Sequence, residues 1–250
     1  MTITGIDDSQ REAARLAGLA GLISIPFVTY ANFGIHARLI VEGDAAQTAQ
    51  NIIAHETLWR ISIAFDLIYS AGILVLLAAL YVVLKPVDRT LALVATFLRL
   101  VYALMWVRMT LNLFDALRLL SGADYLRAFE AERLQALARL ALRASFDQYY
   151  VGLLFWGLAA TICSYLLFKS NYIPRAFAAF GIMASGWCAA CTLAFIIFPN
   201  FAKVVNLWWF DSPLALFEIA LSFWFLFKGL GPSRMLDPDN ARDRAQVSAA

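Results

Sequence analysis

TLALVATFLRLVYALMWVRMTLNLFDALRLL, residues 90–120, is apolar almost throughout, yet it carries Arg99 and Arg108, with Asp115 near its far end. A helix rises about 1.5 Å per residue, so roughly 20 apolar residues cross a bilayer; Arg99 then falls near mid-membrane and Arg108 toward the far side. A guanidinium keeps its proton, and at that depth it costs at least about 2.5 to 3.5 kcal/mol. Groups inside the protein must therefore neutralise these charges. Asp66 and Glu218 are the carboxylates that fall within other apolar runs.

The composition agrees. Of 250 residues, 62% are hydrophobic and 15% charged, against about 25% charged in ordinary soluble chains. This reads as an all-α polytopic membrane protein with no soluble domain. The net charge of +2 argues for neither nucleic acid nor a polybasic lipid anchor, and no block of five like charges occurs. Cys163, Cys188 and Cys191 all lie in apolar segments, unlike a secreted disulfide framework. Asp7, Asp8 and Glu12 precede the first apolar run, unlike a cleavable signal, so that run is expected to stay in the mature protein.

Six spans are expected, at residues 16–35, 61–84, 90–120, 150–168, 176–198 and 213–227. They form one domain, 15–230, between a cytoplasmic segment, 1–14, and a disordered cytoplasmic tail, 231–250. Gly18 and Gly21 open the first span and would let a second helix come close. One or two short outer helices are expected besides. Asp44 and Gln47 read as an N-cap and capping-box pair starting a helix to His55. In residues 121–146, Leu126, Phe129, Leu134, Leu137 and Leu140 alternate with Arg127, Glu130, Arg133 and Arg139, which suits a surface helix serving as lid or collar. Trp208 and Trp209 read as interfacial aromatics.

Three spans end with an aromatic followed four residues later by lysine: Tyr81 and Lys85, Tyr165 and Lys169, Trp224 and Lys228. Such ends suit the headgroup region and the negative end of the helix dipole, so all three are expected on one face, the cytoplasmic one. Triplication of a helical hairpin would also give this pattern, although shared interfacial chemistry is sufficient. With both termini inside, 10 of the 20 Lys and Arg residues fall inside and 8 outside, with Arg99 and Arg108 between. The expected location is the bacterial inner membrane.

Gly43-Asp44-Ala45-Ala46-Gln47-Thr48-Ala49-Gln50-Asn51-Ile52, Arg60, Asp66, Arg99, Lys169-Ser170-Asn171-Tyr172-Ile173-Pro174-Arg175, Glu218, Trp224 and Lys228-Gly229 resemble the bacterial membrane family catalogued as domain of unknown function 4386. The resemblance spans residues 12–230, with the Gly-Asp-Ala-Ala and Tyr-Ile-Pro-Arg pieces its most specific parts; Asn171 stands where glycine is expected. It implies a multi-span protein and carries no mechanism, so function is argued from residues.

By residue counting, Asp66 and Glu218 lie at similar depth, roughly 8 Å from the outer surface. Arg108, Asn112 and Asp115 share one helix face, while Arg99 points about half a turn away. The expected site is a polar cavity toward the outer leaflet walled by Asn32, Asp66, Arg99, Arg108, Asn112, Asp147 and Glu218. Its arginines would hold a phosphate or carboxylate, and Asp66 or Glu218 would serve as proton donor. The preferred reading is a protein binding a lipid-like or amphipathic ligand, or a partner helix. An intramembrane enzyme doing acid/base chemistry on a lipid or isoprenoid is the alternative, and a transporter the third. Buried ion pairs that only fix helix register are the plain alternative to all three. No cofactor is expected: His36, His55 and Glu56 lack metal-ligand spacing, and the peripheral histidines suit haem poorly. Cys188 and Cys191 read as small-residue packing. The bilayer is the expected partner, and the oligomeric state is left open.

Overall fold

The computed structural model describes residues 6–198, 200–206 and 208–231. The expected tail beyond residue 231 and the first five residues lie outside it. The described residues form helices joined by short loops, with no strand among them: α1 (Asp8–Thr29), a π-helical segment (Tyr30–His36), α2 (Ala37–Leu39), α3 (Ala45–Ala54), α4 (Glu56–Leu84), α5 (Arg89–Leu120), a 3-10 turn (Asp124–Leu126), α6 (Ala131–Ser170), α7 (Arg175–Ile197), α8 (Phe201–Val204) and α9 (Trp208–Phe227). Six stretches are long and apolar enough to span a membrane: Asp8–Leu39, Glu56–Leu84, Arg89–Leu120, Ala131–Ser170, Arg175–Ile197 and Trp208–Phe227. This is an all-α, multi-pass membrane protein.

Burial shows the same thing. Ala14, Ala17, Ala92, Ala95, Ala159, Ala178 and Ala184 are buried, while Leu16, Ile23, Phe97, Leu104, Met183 and Ile197 are exposed. Such an apolar exterior would aggregate in water, but it matches lipid, where small residues let backbones approach and packing replaces water exclusion as the driving force.

Two compact units divide the chain: Met1–Gly21, Val75–Arg99 and Leu154–Ala250 in one, Leu22–Leu74 and Leu100–Leu153 in the other. In the first, Gly18 and Gly21 lie against α9, where a Cβ on Gly18 would come within 2.6 Å of the Ser222 carbonyl oxygen and one on Gly21 would strike the Ser222 hydroxyl. Gln10 adds a polar tie, its amide donating to Val83 O at 3.2 Å and to the Tyr172 hydroxyl at 3.0 Å. In the second unit, Ile35, Leu39, Ile52, Trp59, Ile63, Leu113 and Leu117 form one buried cluster, and the Trp59 indole donates to Leu113 O at 3.2 Å.

Several boundaries differ from those expected. The surface helix and the fourth span are one helix, α6, of 40 residues. Residues 146–150, Phe-Asp-Gln-Tyr-Tyr, contain polar groups but neither glycine nor proline, so nothing there breaks the backbone ladder. The last span starts at Trp208 rather than near Pro213, which lies inside α9. Proline lacks the N–H that would bond Trp209 O, and the indole of Trp187 on α7 donates to that carbonyl instead, at 2.6 Å. At α3, Asp44 accepts from Gln47 N at 2.8 Å, but the Gln47 side chain turns to Asn51 Oδ1 at 2.9 Å, so only half of the capping box forms. After α6 the chain reverses at Asn171, whose φ of 57° is left-handed, a conformation asparagine tolerates better than most residues and one that accounts for glycine being expected there.

Candidate functional site

Arg99 follows Ala92 and Ala95 on the buried stripe of α5, and Glu218 lies among Leu214, Phe217, Leu221 and Phe225 on that of α9. The two meet in the first unit as a two-pronged ion pair. Arg99 Nη2 bonds Glu218 Oε1, and Arg99 Nη1 donates to Glu218 Oε2 at 3.4 Å. From α6, the Trp156 indole donates to Glu218 Oε1 at 2.9 Å. The side chains differ in access, with 4% of Arg99 exposed against 21% of Glu218. Only the acid reaches the edge of the cluster.

Glu218 is deeper than its distance from Pro213 suggested. With α9 beginning at Trp208, it lies about 15 Å along the helix, as Asp66 does along α4 from Glu56. Counted from the opposite ends, Glu218 is nine residues from Phe227 and Arg99 ten from Arg89, about 14 and 15 Å, which brings the two to one level.

A cavity of about 20 Å³ adjoins the pair, lined by Arg99, Cys163, Ser164, Phe217, Glu218 and Ser222 among others. It is about the size of one water molecule. The Ser164 hydroxyl is buried and has no partner among the described residues. Gly181 keeps this corner open to its neighbours, since a Cβ there would meet Ser164 Oγ at 2.6 Å and overlap the Phe217 ring. A second cavity of about 10 Å³ touches Arg99 beside Tyr81, Thr96 and Cys163.

The second unit holds the remaining candidates. Asp66 is fully buried, and neither carboxylate oxygen has a hydrogen-bond partner among the described residues. Trp106 is beside it, and the rings of Tyr69, Tyr102 and Tyr149 surround Trp106 at centroid distances of 4.6, 5.9 and 5.7 Å. Arg108 Nη1 donates to Asn112 Oδ1 at 2.6 Å, and Asn112 Nδ2 donates to Gln148 Oε1 at 2.9 Å. Arg108 was expected to need an acid; it is exposed, and an amide one turn along its own helix suffices while the long side chain reaches outward. Asn32 gives its amide to Val28 O at 2.9 Å, within its own helix. Asp147 is exposed on α6. His36, expected at the periphery, is buried, with Nε2 2.9 Å from the Ser62 hydroxyl. Glu56 pairs with Arg60, and His55 caps α3.

The sequence model of one family, described as "Domain of unknown function (DUF4386)", matches residues 16–229. The chain belongs to that family. No curated protein and no solved structure matches it.

Some groups of this DUF4386 chain lay outside the expected site. Trp156, Ser164 and Gln148 each sit in the long apolar helix α6, where a tryptophan or a hydroxyl reads as packing until a partner is known. Periodicity offers one signal: Trp156, Ala159, Ala160 and Cys163 share a face with spacings of three and four, which marks the face turned inward. The aromatic group around Trp106 left no such trace, because its rings come from three helices.

Proposed function

We propose that this DUF4386 chain binds a lipid-like or amphipathic molecule, with the molecule's polar group held at Arg99, Glu218 and Trp156. The observation that carries the reading is the one-fifth-exposed carboxylate of a mid-span, two-pronged ion pair whose arginine is enclosed. A group at that depth is reached through apolar surroundings, so its ligand is largely apolar with one polar end. A hydroxyl or amine would bond Glu218 directly, the member of the pair that is accessible. The three aromatic-lysine helix ends and the 10-to-8 distribution of basic residues support an inner-membrane protein with cytoplasmic termini.

Mass spectrometry of lipids retained by the purified chain tests the binding. Wild type is expected to enrich one compound class over bulk lipid, with Glu218→Gln and Trp156→Phe retaining several-fold less. Equal retention by all three, or bulk lipid alone in wild type, would defeat the reading.

A further inference from the structure

Asp66 is set apart from every other acid described. Glu218 accepts three hydrogen bonds, whereas both oxygens of Asp66 are enclosed and accept none of normal geometry from the described residues. The Trp106 indole N–H approaches it, a neutral donor that completes no hydrogen bond of normal geometry among the described residues. Removing an ionised carboxylate from water without a partner costs several kcal/mol, and one neutral donor does not balance a full charge.

The surroundings favour positive charge. Trp106 beside Asp66 is packed edge-on with the rings of Tyr69, Tyr102 and Tyr149, and the hydroxyls of Tyr69 and Tyr102 lie 3.1 Å apart. Ring faces and hydroxyl oxygens both attract cations. Among the described residues no arginine pairs with Asp66. Arg108 is bonded to Asn112 and, two residues beyond Trp106, projects about 200° around α5 from it. Titratable groups around it among the described residues include the three tyrosines, Tyr150 against Tyr149, Tyr30 against Phe65 and, at Ser62 one turn earlier along α4, His36. Ser62 donates to Trp59 O at 2.7 Å, which leaves its oxygen free to accept from His36 Nε2.

We propose that Asp66 is an intramembrane cation site, at which a proton or an alkali-metal ion supplies the charge the protein itself does not. Intramembrane acids of this kind mark ion pathways and proton relays. The site uses none of the residues assigned to the lipid-like ligand, so either proposal can fail alone.

Thermal unfolding of the purified full chain tests it, in lithium, sodium, potassium and N-methylglucamine chlorides at equal ionic strength across a pH series. The wild-type midpoint is expected to shift by several degrees with an alkali ion or with pH, and Asp66→Asn to lose that shift. Dependence on the metal ion identifies an alkali site, and dependence on pH alone a proton site. An Asp66→Asn variant with the same shifts, or a wild type with none, overturns the proposal. Should Asp66→Asn not fold, infrared spectra of wild type and Asp66→Glu decide: a carboxyl band that moves with pH or ion, and differs between the two, supports the site. A band indifferent to both overturns it.

Discussion

Arg99 and Glu218 are worth more to each other than to the fold. Both are largely enclosed, so removing one strands the other in a low-dielectric interior, at a cost of about 3 to 5 kcal/mol. Replacing both with apolar residues of similar volume avoids that cost. Glu218→Leu is therefore expected to lower the unfolding midpoint markedly, and Arg99→Met with Glu218→Leu to recover most of the loss, as read by circular dichroism melts in detergent. A double variant as unstable as Glu218→Leu alone would show that the two groups do not depend on one another. At this scale the sequence revealed which residue types had to be paired, since a guanidinium in an apolar run demands a partner. The particular partner was hidden, because Arg99 and Glu218 are 119 positions apart and the depth of Glu218 depends on where its helix starts. Arg108 shows the converse: its bond to Asn112 lies within the spacing of four that the sequence displays, but its exposure does not follow from that spacing.

Helix ends and breaks were legible where the chain carries explicit chemistry. Asp44 caps α3 as its side chain suggests, and Asn171 takes the left-handed turn that glycine would take more readily. They were misread where a polar cluster was taken for a break, as in the middle of α6, or where proline was taken for a start, as at Pro213. Nor does any residue pattern announce the π-helical segment Tyr30–His36; Asn32 bonding Val28 O diverts a carbonyl from the regular ladder there. Pro213 supplies a test at this scale. The carbonyl of Trp209 relies on the Trp187 indole for its hydrogen bond, and Trp187 is itself 48% exposed, so little else shields that carbonyl from lipid. Trp187→Phe should cost roughly 1 to 3 kcal/mol, the penalty of an unsatisfied backbone group. In a Pro213→Ala background the restored N–H can bond Trp209 O, and the same Trp187→Phe change should then be close to neutral. Equal penalties in the two backgrounds, compared by thermal melts, would rule out this substitution of one donor for another.

For the whole molecule, six apolar helices were legible because lipid imposes a length and an apolar surface that composition records directly. The division into two units was not, since it cuts through α1, α4, α5 and α6, whose sequences run on unchanged. Six crossings nevertheless make a strict demand on the loops, which must alternate between the two faces of the membrane. Glu42, Ser121 and Lys203 are exposed residues following the first, third and fifth spans, and Lys85, Arg175 and Lys228 are exposed residues after the second, fourth and sixth. The native cysteines are buried within spans, so a cysteine introduced at one of these six positions is the thiol that a membrane-impermeant maleimide meets first. Glu42→Cys, Ser121→Cys and Lys203→Cys are expected to label in intact cells, and Lys85→Cys, Arg175→Cys and Lys228→Cys only after permeabilisation. Complete exchange of the two groups would keep the six spans and reverse the orientation, overturning cytoplasmic termini alone. A mixed result within either group would mean that one of the helices does not cross, and the ion pair of Arg99 with Glu218 would then need a different account of its depth.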